Sequence, residues 1–270
     1  AIEAKGAAPL KPQLDAIAAV RSASDVARLF GEDQWLGIDT PIGGGVEQDL
    51  KDNTVYAVYV GQGGLGLPDR DYYLVNDNPK FAEARTKYQA YIAQMLTLAG
   101  IGDAAAKAQR IFDLETKIAQ THWTRAESRQ IDKLYNPVAT ADIAARYPGF
   151  DWHAFLAAAG VAGQPQIVVT QPSAVTGIAA LVASEPLETW KDYLTFHAIS
   201  NAAPLLSKPF VDANFALYGN TLAGTPQLKE RWKRGVDLVN GGMGEAVGEL
   251  YVAQYFPPES KAQMEGLVAN

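Results

Sequence analysis

Apolar residues in this chain recur mostly at intervals of three and four, the spacing that lines them along one face of a helix. The clearest case runs from Pro79 to Leu98, with Phe81, Ala84, Tyr88, Tyr91, Ile92 and Met95 on the stripe. Asn78 is placed to cap it, Pro79 suits its first position and Gly100 closes it. Asp103 starts a second helix carrying Ile111, Phe112, Leu114 and Ile118, and the short connection makes the two antiparallel neighbours. Asp151 caps Trp152–Ala159, and Ser173–Ala183, Pro186–Ser200 and Ser207–Leu222 read as further helices. Near the start, Leu14, Ile17 and Ala18 have helical spacing, and Ser24 is a plausible cap for Asp25–Phe30. Pro226–Phe256 is the longest helical pattern, with Trp232, Val236, Val239, Met243, Val247 and Leu250 on its stripe. Gly241, Gly242 and Gly244 predict a kink in its middle, and Glu259–Val268 starts a last helix.

Only three stretches break this period. Trp35–Ile42 and Thr54–Val60 read as extended, separated by Gly43-Gly44-Gly45 and Asp52-Asn53, so an antiparallel hairpin over about 35–60 is expected as the main sheet. Gln166–Thr170 is a short strand or extended link. The expectation is a mainly α fold: one helical, bundle-like domain over residues 1–270 with one small antiparallel hairpin.

Composition changes this picture little. The 270 residues are 48 % hydrophobic and 20 % charged, which is globular. The net charge of −7 and the lack of a basic run argue against a nucleic-acid partner. No apolar run approaches the ~18 residues of a membrane span. There is no cysteine, so disulfides and thiolate metal sites are excluded. Residue 1 is Ala and no signal peptide is visible, so the expectation is a processed chain or one cut from something longer.

The least generic stretch is Gly61–Leu74, GQGGLGLPDRDYYL, which joins the second extended run to the helix from Pro79. Gly61, Gly63 and Gly66 match the G-x-G-x-x-G dinucleotide fingerprint, but that motif needs a helix opening at the glycines. Pro68 and Asp69-Arg70-Asp71 intervene, and another helix rather than a strand follows Leu98. The stretch reads instead as a strand-to-helix elbow. Its glycines supply positive φ, Pro68 fixes the path, and Asp69, Arg70 and Asp71 lock the turn by ion pairs and caps. Tyr72 and Tyr73 point in different directions, one of them inward. A fold-determining role is favoured over ligand contact for all of these residues.

Other chemistry is sparse. His122, His153 and His197 are far apart, and H-E-x-x-H, G-x-S-x-G and P-loop motifs are absent. His122 beside Trp123 and His153 beside Trp152 fit half-buried positions. Glu83, Glu115 and Asp132 read as solvated carboxylates, and Arg231, Lys233 and Arg234 as a short solvated basic group. No catalytic or metal-binding residue is assigned, and substrate-binding residues stay unassigned.

LGLPDRDYYL, from Leu65 to Leu74, resembles the signature of the amino-terminal half of neprilysin-like zinc metallopeptidases, the family that includes endothelin-converting enzyme and bacterial homologues. FDLETKIAQTHW with Arg129 and Tyr135-Asn136, and LKERWKRGVDLVNGGMGEAVGELYVAQYF near the end, are similar to the same family. Many members carry cysteine where Gly235 stands. The resemblance covers nearly the whole chain, with further helices of the family expected upstream. It implies a helical, non-catalytic half that closes over a carboxy-terminal catalytic half, making a chamber for peptides. Zinc would be held there by H-E-x-x-H and a further glutamate, with zinc-polarised water attacking the carbonyl and the motif's glutamate as base. It further implies peptide substrates, an extracytoplasmic location and no zinc on this segment. The alternatives are a free-standing helical binding domain and a dinucleotide enzyme.

Overall fold

The computed structural model describes residues 2–269, which fall into two compact units dividing after Gly224. The first unit is mostly helical. Its helices are α1 (Lys11–Ala18), α2 (Ala23–Leu36), α3 (Asp71–Leu74), α4 (Pro79–Leu98), α5 (Ala104–Thr121), α6 (Ile131–Leu134), α7 (Ile143–Arg146), α8 (Trp152–Ala158), α9 (Pro172–Ser184), α10 (Leu187–Ala202) and α11 (Lys208–Asn214). The strands are β1 (Ile42–Gln48), β2 (Tyr56–Gln62), β3 (Asn136–Ala139) and β4 (Gln166–Val169). The mainly α class holds.

The sheet is larger than the hairpin expected from sequence. Its order is β1-β2-β4-β3, with β2 and β4 parallel and the other pairs antiparallel. The hairpin begins later than the pattern suggested. Trp35 and Leu36 belong to α2, whose buried face continues through Phe30 and Asp33 until Gly37 ends it at φ 64°. The Gly43–Gly45 triplet, read as a separator, lies inside β1, paired with Tyr59–Gly61. The turn itself is built by Asp49, whose Oδ1 accepts from the Lys51 and Asp52 amides, and by Asp52, which accepts from Thr54. β3 was missed because Asn136 and Pro137 carry turn chemistry in sequence; pairing with β4 overrides it.

Side-chain caps mark the starts of α2, α4 and α8. Asn78 Oδ1 accepts from the Lys80 amide and Asp151 Oδ1 from that of Ala154, as the sequence indicated. For α2 the cap is Ser22 rather than Ser24: Ser22 Oγ accepts from the Asp25 amide, whereas Ser24 Oγ donates to Asp151 Oδ2. The helix expected over Ser207–Leu222 is α11 followed by a π-helical segment, Phe215–Leu222. Such segments are rare and concentrate at functional sites.

The core is aromatic-rich. Phe30 meets Trp190 and Phe150, and Phe150 meets Trp152 and Phe155, on one side. Tyr88 meets Phe112, Phe196 and Tyr73 on the other. Asp192, itself buried, ties α10 to α5 by accepting from Lys107 Nζ at 2.5 Å and Arg110 Nη2 at 2.5 Å.

The second unit contains α12 (Arg231–Tyr255) and α13 (Pro258–Ala269). α12 breaks at Met243, which has φ −135° and lies between the glycines that predicted a kink. Trp232, Val236, Val239, Met243 and Leu250 are all exposed. Among the described residues no helix is long and apolar enough to cross a membrane.

Asp33 carries a pH signature. It is buried on α2, with Oδ1 accepting from Gln13 Nε2 at 2.8 Å. Burial first, then the Glu32 charge, push its carboxyl from 3.8 up to about 7. Between these values the folded chain keeps a proton that the unfolded chain has released. Stability from Asp33 is therefore fully present below pH 3.8 and is lost as pH rises through about 7. Asp33→Asn should raise the melting temperature relative to the unsubstituted chain, and by more at pH 8 than at pH 4. An equal difference at the two pH values would contradict the protonated, buried carboxyl.

Candidate functional site

The elbow after β2 is held from underneath by one buried carboxylate. Glu115, on α5, is fully buried, not solvated as its sequence context suggested. The reason is its company: Tyr73 Oη donates to Oε2 at 2.6 Å, Tyr88 Oη to Oε1 at 2.8 Å, and His197 Nε2 lies 2.8 Å from Oε1. Burial, then the Glu115 charge, hold the Tyr73 and Tyr88 hydroxyls far above the usual phenol range. Both therefore stay protonated and donate. Tyr73 Oη also accepts from the Leu67 amide at 2.9 Å. Tyr193, whose ring packs on His197, donates to the Gly64 carbonyl at 2.6 Å.

These bonds explain where the elbow needs glycine. Positive φ occurs at Gly64, at 77°, and not at Gly61, Gly63 or Gly66. Gly66 is required for a different reason: a Cβ there would lie 1.8 Å from Tyr88 Oη, which Glu115 fixes in place. Gly61 packs against Thr170 and Gly63 against the Thr40 carbonyl, with the Gly63 amide donating to the Pro41 carbonyl at 3.0 Å. Pro68 is exposed beyond them. Asp69 Oδ1 caps the Asp71 amide at 2.8 Å, and its Oδ2 is 2.9 Å from Arg125 Nε. Asp71 is exposed, Tyr73 points into the core and Tyr72 stacks on Phe81 at 4.4 Å. No helix opens at the glycines; the next one begins at Asp71 and has four residues, so the dinucleotide geometry is absent from the elbow.

Three clefts surround the elbow and share Asp39. One, of about 340 Å³, is lined by Thr40, Gln62 and Gln171. A second, of about 320 Å³, lies between Gly66, His197 and Tyr218 of the π-helical segment. The third, of about 290 Å³, is lined by Arg70, His122, Arg125 and Ser128. A separate, mostly apolar notch of about 180 Å³ lies beside Trp35, Val46 and Phe155.

The three histidines do not meet. His197 is bonded to Glu115, His122 is buried after α5, and His153 is exposed on α8 rather than half-buried. Among the described residues no group of three or more His, Cys, Asp or Glu side chains could hold a metal ion. Glu83 pairs with Lys87 on the surface and Asp132 is exposed. The clefts present backbone amides, hydroxyls and amide side chains together with Asp39, Arg70, His122, Arg125 and His197. The π-helical lining and the buried Glu115 hub were not signalled by spacing; only Tyr72-Tyr73 and the elbow glycines were visible.

Comparison with known proteins agrees with this architecture. The model for Peptidase family M13 matches residues 1–270. A neutral endopeptidase of Lactobacillus helveticus is 26 % identical over 227 residues, covering 83 % of this chain and 34 % of the relative. Endothelin-converting enzyme 1 of Rattus norvegicus is 27 % identical, covering 80 % and 29 %. The zinc metalloprotease Zmp1 of Mycobacterium tuberculosis in its open state superposes with a TM-score of 0.90 at 38 % identity, covering 99 % of this chain and 42 % of that one. Its inhibitor complex gives 0.91 at 37 % identity. The chain thus spans about a third of the length of these curated relatives.

Two substitutions test the hub. Glu115→Gln leaves three converging polar groups without a carboxylate and should lower the unfolding free energy by about 3 kcal/mol. Gly66→Val should cost roughly 2 kcal/mol or more through overlap with Tyr88. Urea unfolding measures both; a change below ~0.5 kcal/mol in either would remove the hub from the account of the elbow.

Proposed function

The chain belongs to peptidase family M13, and we propose from that premise that it forms most of the helical, non-catalytic part of a neprilysin-like zinc metalloendopeptidase. The observation that carries this reading is the match of nearly the whole chain to two fifths of Zmp1. The residues described here do not fit a zinc ion, since no three candidate ligands converge. Hydrolytic chemistry therefore falls to a carboxy-terminal half, which is this segment's partner. The segment's own contribution is to wall a chamber for peptides, with the elbow clefts facing the substrate and Gly61, Gly63, Gly66, Pro68, Asp69, Arg70, Asp71, Tyr72 and Tyr73 holding that wall in shape. An extracytoplasmic location belongs to the same reading.

A free-standing binding domain is disfavoured by α12. Its stripe of Trp232, Val236, Val239, Met243 and Leu250 is exposed, and large apolar faces on soluble chains mark interaction surfaces. In the proposed enzyme the carboxy-terminal half covers it.

Alone, the 270-residue chain is expected to leave a fluorogenic peptide intact. Supplying the carboxy-terminal half should restore cleavage that a chelator abolishes, and Val239→Asp should weaken the association of the two parts at least tenfold. Chelator-sensitive cleavage by this chain alone, or no association with the other half, would overturn the proposal.

A further inference from the structure

One cleft beside the elbow contains polar groups that the fold itself does not satisfy. Arg70 Nε, His122 Nε2 and Ser128 Oγ are each shut off from solvent without a hydrogen-bond partner, and all three residues line the cleft of about 290 Å³. They come from three separate segments: the residue before α3, the residue after α5, and the 3₁₀ turn Glu127–Arg129. Leaving such a group unpaired costs about 1–3 kcal/mol, so three converging on one cleft is a feature that packing does not explain.

Two of the acids nearby, Asp69 and Glu127, are occupied. Asp69 bonds to Arg125 and to the Asp71 amide. Glu127, close enough to feel the Arg70 charge, accepts from the Thr124 amide at 2.9 Å and hydroxyl at 2.8 Å. Asp39 is exposed on the cleft's lining. The Arg70 guanidinium thus makes no ion pair among the described residues, in contrast to Arg125.

The geometry points to a subsite for the carboxylate of a peptide ligand, bound by the Arg70 guanidinium and the Ser128 hydroxyl, with His122 Nε2 beside them. A guanidinium fork matches the two oxygens of a carboxylate. A single unpaired arginine balances one negative charge, and the carboxylates of Asp39 and Asp69 on the same cleft oppose a dianion such as phosphate. His122 is suited to its place. One ring nitrogen bonds to the Gly63 backbone, while burial depresses the ring to about 4 and keeps it uncharged at neutral pH. Its free Nε2 can then accept from a peptide N–H next to the bound carboxylate. The carboxylate can be a chain terminus or an acidic side chain; both present the same two oxygens. That the ligand is a peptide rests on the proposed function, whereas carboxylate binding to this chain does not.

His122 reports on the site. The chain has three histidines, so its imidazole Cε1 proton can be resolved by NMR, with the exposed His153 as internal control. Three tripeptides are titrated into the 270-residue chain: acetyl-Ala-Ala-Ala with a free carboxylate, acetyl-Ala-Glu-Ala-amide and acetyl-Ala-Gln-Ala-amide. The expected result is a saturable shift of His122, absent at His153, with at least one of the first two peptides and at least tenfold weaker with the third. Which of the two binds distinguishes terminus from side chain. Arg70→Gln should weaken that binding at least tenfold; if it lowers the melting temperature, Ser128→Ala and Arg70→Lys serve as the milder variants. Equal shifts with all three peptides, no shift with any, or binding unchanged in every folded variant would overturn the assignment, and the three orphan atoms would then be satisfied by buried water alone. Failure of association with a catalytic half leaves this titration unaffected, so the two proposals fall separately.

Discussion

The first unit depends on a charge placed where charge is costly. Taking a carboxylate out of water costs several kcal/mol, and Glu115 offsets that only by collecting three hydrogen bonds. Its donors come from α3, α4 and α10, while the acceptor itself is on α5. Four helices are thereby constrained to one arrangement, since an alternative packing that moved any of them would leave a buried charge short of a partner. Apolar side chains tolerate sliding by small amounts; a carboxylate with fixed donors does not.

That constraint reaches the surface through Tyr73 and Tyr193. Tyr73 holds the Leu67 amide while donating to Glu115, and Tyr193 holds the Gly64 carbonyl. The elbow backbone is thus specified at two points by hydroxyls that are themselves specified by the core. Clefts formed around it inherit a fixed shape, so little binding energy would be spent on ordering them. The π-helical segment forms part of one cleft wall, where Tyr218 lines the same cleft as Gly66 and His197 and meets Tyr91 edge to face.

Much of the helical framework was legible because helices declare themselves locally. Asn78-Pro79 and Asp151 predicted starts that their caps show. The kink at Met243 followed from three glycines. What escaped was non-local. The period of three and four cannot tell a buried Glu115 from a solvated Glu83, because the difference lies in tyrosines 42 and 27 residues away in sequence. Trp35 looked extended by side-chain type, yet its helix was already committed by Val26, Phe30 and Asp33. Gly43–Gly45 looked like a turn until β2 supplied a pairing partner. The motif at Gly61–Leu74 was conspicuous as composition, but its physical basis differs from residue to residue: positive φ at Gly64, close packing at Gly66 and a cap at Asp69.

The second unit raises an energetic question that its own sequence answers. An isolated helix in water is marginal even when rich in alanine, because helix nucleation is costly and most helix stability comes from burying an apolar face. α12 starts at a disadvantage, since Gly235, Gly241, Gly242, Gly244 and Gly248 each weaken a helix by about 1 kcal/mol relative to alanine. Neither α12 nor α13 buries a side chain among the described residues. The stripe from Trp232 to Leu250 is therefore the main source of free energy available to such a helix, and it is realised only when another surface covers it. The five glycines lower what α12 contributes by its own backbone, so burial of the tryptophan, the two valines, the methionine and the leucine carries a larger share of its stability.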